Sequence, residues 1–289
     1  MARSRSSGSA RRVVLVTGAA RRIGRTIALA FARQGWDVAL HYGRSRRDAV
    51  ATAAEITALG RRALLLQADL ASEAAVLRLL PRVLRGLGRI DCVVNNASLF
   101  AYDDAAGTNY ASLSAHYLAN TAAPVLLARE LARHLGDRGA DTEPASVINL
   151  LDQKLFNPNP DFLAYTLSKS ALHAATTLLA QALAPRVRVV GVAPGITLTS
   201  GEQTDAGFAQ AHTRTPLGRS STPQDVADAV LYAAGARALT GTTLLVDGGQ
   251  HLVPSTRDVM FLTEPAPQGG TPASEQKPAP RRRRVRSSS

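Results

Sequence analysis

The sequence predicts an α/β protein with one doubly wound parallel sheet of about seven strands and helices on both faces. Short apolar runs alternate with segments of helical periodicity from residue 12 onward. Each run ends in glycine, proline or polar residues, as strands in such sheets do. Strands that alternate with helices are joined by right-handed crossovers, which place neighbouring strands parallel to one another. A single domain over residues 12–254 accounts for most of the 289 residues.

The strands are predicted from runs of Val, Leu, Ile and Ala that lack alternating polar residues. A continuous apolar run indicates a strand whose two faces are both covered by helices. We expect these strands at residues 13–16, 36–41, 63–68, 90–94, 146–151, 187–192 and 243–246.

Helices are predicted between the strands at residues 23–34, 48–59, 73–87, 110–135, 162–183 and 223–232. Pro81 and Pro124 fall inside two of them and are expected to bend the chain there. Thr222 followed by Pro223 is typical of a helix start, because threonine caps the first amides and proline fits the first turn. Residues 199–216 are polar and lack periodicity, so we expect a mobile, irregular lid there.

The net charge of +12 arises mostly from the two ends of the sequence. Nine of these charges lie in residues 1–12 and 265–289, where Ser, Pro, Gly and Arg are frequent. Such segments bury too little apolar surface to fold, so residues 1–11 and 265–289 are predicted to be disordered basic tails. The tails could bind nucleic acid weakly, but residues 13–264 carry only three net charges and predict no nucleic-acid surface.

The composition also argues against a membrane protein and against a protein stabilised by disulfides. No run of 18 apolar residues is present and no apolar secretory segment occurs near residue 1, so no membrane association is predicted. Cys92 is the single cysteine, which excludes an internal disulfide and suits a reducing compartment. We expect a cytoplasmic protein, with an organelle transit peptide in the Arg- and Ser-rich start as an alternative. No metal site is predicted.

A glycine-containing turn follows the first strand and opens the first helix. Gly18 and Gly24 allow a tight turn and let backbone amides approach a pyrophosphate at the N-terminus of the helix. Arg22 and Ile23 lie within this turn. Its position between a buried strand and a helix predicts a dinucleotide site.

The residues after the second strand indicate which dinucleotide binds. An acidic residue at this place would bind the ribose hydroxyl of NAD. The sequence instead has a stretch without an acid, which includes His41, Tyr42, Arg44 and Ser45. Arg44, together with Arg22, can pair with a 2′-phosphate through a planar donor fork, so NADP(H) is the predicted cofactor.

Further cofactor contacts are expected where the third and fourth strands end, because ligands of such sheets bind at the carboxyl ends of the strands. Asp69 suits the edge of the adenine ring, with Leu70 packed beside it. The dinucleotide channel is expected to be lined by Asn96, Ala97 and Ser98.

Tyr165 and Lys169 lie four residues apart and therefore share one face of the predicted helix. An ammonium beside a phenol stabilises the phenolate, so we expect Lys169 to lower the pKa of Tyr165 from about 10 towards the working range. Tyr165 then becomes a usable general acid. The chain has 31 Arg but three Lys, which makes a lysine at this spacing less expected by chance.

Together these motifs resemble the short-chain dehydrogenase/reductase family. The resemblance covers about residues 12–253 and rests on positions 17–24, 95–97, 120, 165–169, 194–195 and 247–249. It implies a Rossmann-type fold, a homo-oligomer that is commonly a tetramer, and a catalytic set of Asn120, Tyr165 and Lys169. Lys169 is implied to bind the nicotinamide ribose as well, and the nicotinamide end is implied to contact Pro194, Gly195 and Ile196.

Two positions depart from the usual family pattern. Arg22 stands where the family usually has glycine, and Asp152 stands where it usually has a catalytic serine after the fifth strand. Both changes resemble the pteridine reductase branch, which is similar to bacterial dihydromonapterin and dihydrofolate reductases of this fold. A carboxylate repels the alkoxide formed from a ketone, whereas a pterin presents ring nitrogens and an amino group that can hydrogen-bond to Asp152.

The sequence therefore predicts an NADPH-dependent reductase of a pterin, dihydropterin or dihydrofolate, with Tyr165 as proton donor and Asp152 at the substrate. Phe100 can stack on the flat pterin ring, with core packing as the alternative for this side chain. One alternative function is a general carbonyl or 3-oxoacyl reductase of the same family. Another is a non-catalytic dinucleotide-binding regulator that uses its basic tails on nucleic acid.

Overall fold

Seven parallel strands form one sheet within residues 11–135, 143–199 and 203–262, which are the residues that this computed structural model describes. The predicted basic tails lie outside these residues, except for Arg11. All seven predicted strands are confirmed, with ends within two residues of the expected positions. The strands are β1 (Val13–Val16), β2 (Asp37–Tyr42), β3 (Ala63–Gln67), β4 (Cys92–Asn95), β5 (Ala145–Leu150), β6 (Val187–Pro194) and β7 (Thr243–Val246).

The strand order is β3-β2-β1-β4-β5-β6-β7, and all neighbouring strands are parallel. The order reverses between β1 and β4, because the chain first moves outward to β3 and then crosses back. A crevice opens at such a reversal, beyond the carboxyl ends of the strands. The predicted doubly wound sheet is confirmed, and its topology determines where a ligand can bind.

Helices cover both faces of the sheet. Alternate side chains of β1 enter opposite layers, with Val14 and Val16 in one hydrophobic cluster and Val13 and Leu15 in the other. No helix among the described residues is long and apolar enough to cross a membrane. The helices are α1 (Arg22–Arg33), α2 (Arg46–Ala58), α3 (Glu73–Leu77), α4 (Leu79–Leu87), α5 (Tyr110–Tyr117), α6 (Ala123–Leu135), α7 (Leu163–Leu183), α8 (Asp205–Thr213) and α9 (Pro223–Gly235).

The single helix predicted over residues 73–87 is wrong, because two helices, α3 and α4, cover this stretch with a break at Arg78. A proline ring clashes with the carbonyl four residues earlier and lacks the N–H that would bond to it. For Pro81 that carbonyl belongs to Leu77, the last residue of α3. The break therefore lies one turn before the proline rather than at it.

The helix predicted over residues 110–135 is also interrupted. A π-helical turn, Leu118–Ala122, joins α5 to α6. Pro124 has no N–H to donate to the carbonyl of Asn120, four residues earlier, and a wider turn accommodates the missing bond. The irregularity expected at Pro124 thus lies in the turn that holds Asn120.

The irregular lid expected over residues 199–216 is wrong in part, because α8 covers Asp205–Thr213. Thr204 caps this helix by accepting a hydrogen bond from the Gly207 amide at 3.0 Å. The buried residues of α8 are Gly207 and Ala211, which are too small to mark an apolar periodicity in the sequence. Residues 200–202 lie outside the described residues.

Residues 255–262, beyond the predicted domain limit of 254, pack against the rest of the protein. The Arg257 guanidinium donates to both carboxylate oxygens of Asp161 at 2.8 to 3.1 Å. The Asp258 amide donates to the same carboxylate at 2.7 Å, and the Asp258 carboxylate accepts from Lys154 at 3.1 Å. Phe261 stacks on Phe162 with the ring centres 5.9 Å apart. These contacts place a C-terminal wall beside the carboxyl ends of the strands.

Candidate active site

A cavity of about 620 Å³ opens at the carboxyl ends of the central strands. Its volume lies in the range of small-molecule sites, roughly 300–1,000 Å³. Residues from the turns after β1, β4, β5 and β6 meet there, at the reversal of strand order. Predicted site residues that line the cavity are Arg22, Ile23, Asn96, Ser98, Phe100, Asp152, Tyr165, Lys169, Pro194, Gly195 and Ile196.

The turn after β1 is packed so closely that two of its positions require glycine. Gly18 has a φ of +64°, and a side chain there would meet Ala97. A Cβ on Gly24 would lie 2.2 Å from the Gly18 carbonyl oxygen. Asn96 holds the turn from the other side, because its amide donates to the carbonyls of Thr17 and Gly18 at 2.9 and 3.3 Å.

The N-terminus of α1 fits an anion. Arg21 at its start makes no side-chain bond to the helix, and the first turn contains no acid. Amides at such helix ends bind phosphate groups. Arg22 adds a guanidinium at the cavity, where it has a φ of +55° and donates to the Thr199 carbonyl at 2.9 Å. These residues fit the pyrophosphate of a dinucleotide.

The structure buries the side chains of His41 and Tyr42, both of which were expected at the cofactor. His41 Nδ1 accepts a hydrogen bond from the Gly18 amide at 3.1 Å, and Nε2 lies 3.2 Å from the Ala68 carbonyl. Burial lowers the pKa of His41 to about 4, so the ring is neutral and Nε2 carries the proton. Tyr42 is buried in the core cluster. The His41 side chain therefore supports the turn through its bond to the Gly18 amide.

Arg44 and Ser45 lie at the surface where β2 ends. Ser45 begins α2 without a side-chain bond to the helix, and no acid lies between β2 and α2, which suits a 2′-phosphate. Asp69 is exposed after β3, and its carboxylate accepts from the Ala71 amide at 3.0 Å. Leu70, which follows Asp69, lines a separate crevice beside α3 and α6.

Tyr165 and Asp152 are directly hydrogen-bonded within the cavity. The Tyr165 hydroxyl donates to one Asp152 carboxylate oxygen at 2.7 Å, and the Lys154 amide donates to the other at 2.8 Å. Burial raises the pKa of Asp152 above its usual value, and these two hydrogen bonds oppose the shift. Burial and the adjacent Asp152 carboxylate raise the pKa of Tyr165 well above 10.

The expected lowering of the Tyr165 pKa by Lys169 is therefore wrong for this structure. The Lys169 ammonium donates to the Leu150 carbonyl at 2.7 Å and lies 5.8 Å from the centre of the Tyr165 ring. Burial lowers the pKa of Lys169 itself to about 8, against the attraction of Asp152. The carboxylate at hydrogen-bond distance outweighs the ammonium, so Tyr165 is a protonated donor at neutral pH.

Asn120 acts as a positioning residue in this arrangement. Its side chain is 1% exposed, and its amide donates to the Leu99 carbonyl at 2.9 Å and to Ser168 Oγ at 3.0 Å. Its carbonyl oxygen accepts from the Leu99 amide at 2.7 Å and from Ser98 Oγ at 3.3 Å. Because these bonds occupy the side chain, Asn120 orients the segment that carries Phe100.

Phe100 lines the cavity next to Tyr165. The two rings meet edge to face with centres 4.7 Å apart, and Phe100 stacks on Phe162 at 4.3 Å. Phe100 nevertheless remains 42% exposed. It packs on its neighbours and still presents aromatic surface to a flat ring in the cavity.

Several polar cavity residues were not predicted from the sequence, among them Gln153, Lys154, Gln250 and Asp258. Lys154 is 3% exposed and joins Asp258 to the cavity wall through its ammonium. Gln250 accepts from the Ile196 amide at 3.0 Å. One signal was available, because Lys154 is one of three lysines in an arginine-rich chain. Asp258 reaches the site only through contacts with residues about one hundred positions earlier, which no local pattern reveals.

The chain is similar to known reductases over most of its length. Residues 18–251 match a family model described as enoyl-(acyl carrier protein) reductase. The crystal structure of FolM alternative dihydrofolate reductase 1 from Brucella canis, complexed with NADP, has 38% sequence identity and a TM-score of 0.78. This similarity covers 86% of the present chain and 98% of the Brucella chain.

Two relatives are named for different substrates. Pteridine reductase 1 of Leishmania tarentolae is 31% identical over 281 residues, which cover 83% of this chain and 96% of that protein. Granaticin polyketide synthase putative ketoacyl reductase 2 of Streptomyces violaceoruber is 35% identical over 252 residues, with 83% and 96% covered.

Proposed function

The chain belongs to the short-chain dehydrogenase/reductase family of oxidoreductases, and we propose that it reduces a pterin, dihydropterin or dihydrofolate with NADPH. The hydrogen bond of 2.7 Å between Tyr165 and Asp152 carries this proposal. A carboxylate beside the proton donor suits a nitrogen heterocycle, which presents N–H groups, and disfavours a developing alkoxide. The names of the Brucella and Leishmania relatives agree with this substrate class.

NADP(H) is the cofactor that the residues fit. Gly18 and Gly24 allow the closely packed turn at the start of α1, where backbone amides suit a pyrophosphate, and Arg44 follows β2, where a 2′-phosphate would lie. The Brucella canis structure is a complex with NADP. When bound, NADPH supplies the hydride, and the protein supplies orientation and electrostatics. Lys169 and residues 194–196 hold the nicotinamide end in this proposal.

Tyr165 supplies the proton. Reduction of a C=N bond adds a hydride to carbon and a proton to nitrogen, while NADPH becomes NADP⁺. The Tyr165 hydroxyl is protonated at neutral pH and lies in the cavity, so it can donate to the ring nitrogen. The Tyr165 oxygen then regains a proton that comes from solvent: the Asp152 carboxylate, whose pKa is raised by burial, accepts it and passes it across their hydrogen bond. Solvent reaches the Asp152 carboxylate through the cavity that this residue lines.

A general carbonyl or 3-oxoacyl reductase is the second candidate. The Streptomyces relative is named a putative ketoacyl reductase, and a protonated tyrosine beside a buried lysine also suits ketone reduction. The observation against it is Asp152, because its charge opposes the alkoxide that a ketone forms. A non-catalytic regulator has no observation in its favour, since the basic tails on which it depends lie outside the described residues.

The test is oxidation of NADPH, followed at 340 nm with purified protein. Dihydrobiopterin, dihydromonapterin and dihydrofolate are offered beside a panel of ketones and 3-oxoacyl thioesters. We expect turnover of at least one pterin, and loss of that turnover in Tyr165→Phe with cofactor affinity preserved. Turnover of ketones alone would overturn the proposal.

The matched variant is Asp152→Ser, which restores the residue usual in the family. We expect pterin turnover to fall by about 100-fold in this variant, the scale of a lost proton-transfer group. Ketone turnover should rise or stay unchanged. If the variant reduced pterins at the wild-type rate, Asp152 would have a purely structural role.

We also infer a homo-oligomer and a cytoplasmic location. Large apolar side chains are exposed on α5, on the following π turn and on α7, a pattern that suits burial against other copies of the chain. They are Tyr110, Tyr117, Leu118, Leu167 and Leu178. Light scattering after gel filtration should give the mass of a tetramer, and a monomeric mass would contradict this inference.

A further inference from the structure

Lys154 is a buried lysine that lies two residues after Asp152 and belongs to none of the motifs described above. It is 3% exposed, and its amide donates to an Asp152 carboxylate oxygen at 2.8 Å. Asp152 precedes a short helical turn, Gln153–Leu155, and this bond caps the turn. The position of the Asp152 carboxylate therefore depends on the backbone of Lys154.

The ammonium of Lys154 holds the start of α7, the helix that carries Tyr165. Lys154 Nζ donates to the Asp161 carbonyl at 2.6 Å and lies 5.3 Å from the centre of the Phe162 ring. Phe162 directly precedes α7, so these contacts lie within about one turn of Tyr165. Lys154 thus contacts both of the elements that the hydrogen bond between Tyr165 and Asp152 joins.

Phe162 has a backbone conformation that a residue with a side chain rarely adopts. Its φ is +56°, in the left-handed region. Such a conformation persists where the surrounding contacts impose it, and it often marks a functional site. Phe162 is buried, and its ring stacks on Phe100, which lines the cavity. The ammonium beside this ring is one of the contacts that impose the conformation, so we expect the start of α7 to shift when the ammonium is removed.

The C-terminal wall supplies the counter-ion of this ammonium. One carboxylate oxygen of Asp258 accepts from Lys154 Nζ at 3.1 Å, and the other accepts from the Met260 amide at 3.1 Å. The Asp258 amide donates to the Asp161 carboxylate at 2.7 Å. A buried ammonium is unfavourable without an anion, so Asp258 stabilises the charge in this place. Lys154 therefore connects the wall to Asp152.

We propose that Lys154 is a positioning residue, which holds the Tyr165 hydroxyl at hydrogen-bond distance from Asp152 while Asp258 of the C-terminal wall is docked. This inference rests on the proposed reductase function. Proton transfer needs its two heavy atoms within about 3.2 Å of each other. A misplacement of about 1 Å can lower a rate by about 100-fold. The effect of Lys154 should therefore fall on kcat and on the surroundings of Tyr165, and not on the affinity for NADPH.

The test compares Lys154→Met with the double variant Lys154→Met/Asp258→Asn. The single variant leaves Asp258 without its cation, whereas the double variant removes both charges and should regain most of the lost stability in urea unfolding. We expect kcat for pterin reduction to stay about tenfold below the wild type in both variants. The loss is limited because the Asp103 carboxylate still accepts from the Ala164 amide of α7 at 2.9 Å. A double variant with regained stability and the wild-type kcat would overturn the proposal.

The matched control is Arg62→Gln, which also takes the cation from a buried aspartate. The Arg62 guanidinium donates to the buried Asp37 carboxylate at 2.6 Å. Asp37 begins β2 and Arg62 directly precedes β3, so this pair lies at the edge of the sheet opposite the cavity. The control should lose stability and keep its kcat. A fall in kcat equal to that of Lys154→Met would show that lower stability alone reduces turnover, and the proposal would then be wrong.

A spectroscopic measurement separates this inference from the reaction itself. The full-length protein is labelled with 3-fluorotyrosine, and the fluorine resonance of Tyr165 is assigned by its absence from Tyr165→Phe. We expect this resonance to move in Lys154→Met and in the double variant, and to stay in place in Arg62→Gln. The double variant removes one charge of each sign, so its shift reports a displacement of Tyr165 rather than a change in net charge.

The two readouts together distinguish the possible failures. A resonance that moves in a protein that reduces no pterin would support the positioning role and reject the proposed reaction. Pterin turnover in which the variants change neither kcat nor the resonance would overturn the positioning role and leave the reaction standing.

Discussion

Replacement of Lys169 by methionine should stabilise the folded protein at neutral pH. Lys169 is 2% exposed, and burial lowers its pKa to about 8 from an ordinary value of 10.5. At about 1.4 kcal/mol per pKa unit, this shift corresponds to about 3 kcal/mol against folding when the ammonium is charged. Loss of the bond from Nζ to the Leu150 carbonyl offsets about 1 kcal/mol. The free energy of unfolding should therefore rise by about 2 kcal/mol at pH 7, while turnover is lost.

The stabilisation expected for Lys169→Met depends on pH. The folded-state pKa of Lys169 lies below the ordinary value, so between pH 8 and 10.5 the unfolded chain binds more protons than the folded one. Stability contributed by this site therefore rises with pH across that window. Methionine does not titrate, so the difference in the free energy of unfolding between the variant and the wild type should shrink towards zero by about pH 9.5. Urea unfolding at both pH values, at one protein concentration and without cofactor, measures the difference.

A matched control is Lys154→Met, which removes another buried lysine. Lys154 is 3% exposed, but it is paired with Asp258 at 3.1 Å, so its loss leaves a carboxylate without its cation. This variant should be destabilised by a few kcal/mol, on the order of 3. A Lys169→Met variant that is less stable than the wild type by the same amount at pH 7 and pH 9.5 would refute the reasoning for Lys169.

Further variants test other parts of the site. Gly24→Ala should lower the affinity for NADPH at least tenfold in fluorescence titrations, because its Cβ would lie 2.2 Å from a carbonyl oxygen of the same turn; unchanged affinity would contradict the anion-binding turn. Arg44→Gln should raise the KM for NADPH about tenfold and leave that for NADH unchanged; equal effects on both would dismiss a 2′-phosphate contact. Asp152→Asn should lower the pKa of Tyr165 and move the alkaline limb of the rate profile to lower pH, since the carboxylate raises that pKa; an unmoved limb would argue against their coupling. Asp161→Ala should speed proteolysis near residue 257, as the bidentate bond to Arg257 is lost; an unchanged digestion pattern would show that other contacts hold this segment.

The sheet could be predicted because buried parallel strands leave a strong local pattern. Runs such as Val13–Val16 are apolar throughout and end at turn residues, which locates each strand to within two residues. The helix breaks were less accurately predicted, because a proline perturbs the carbonyl one turn before it rather than its own position. α8 was missed because its buried residues are glycine and alanine.

Residues at the ends of strands could also be predicted, since topology brings those ends together. Asp152, shortly after β5, lines the cavity, and so do Tyr165 and Lys169, which their spacing of four residues placed on one face of a helix. The direction of the Tyr165 pKa shift was predicted wrongly, because it depends on a hydrogen bond of 2.7 Å to Asp152 that spacing along a helix does not reveal. Asp258 could not be predicted, because its place in the site depends on contacts with Lys154 and Asp161, about one hundred positions earlier in the chain.

The C-terminal wall has a consequence for biosynthesis. Asp258, Val259 and Met260 complete the cavity, yet they are translated after every strand of the sheet. A nascent chain emerges from the ribosome amino end first and folds as it appears, so the sheet can form before these residues are available. The ion pair between Arg257 and Asp161 then closes the wall as a late step. A ribosome-bound chain that ends near residue 250 should therefore hold a folded cofactor half without a finished substrate chamber, which delays catalysis until the C-terminal wall has been synthesised.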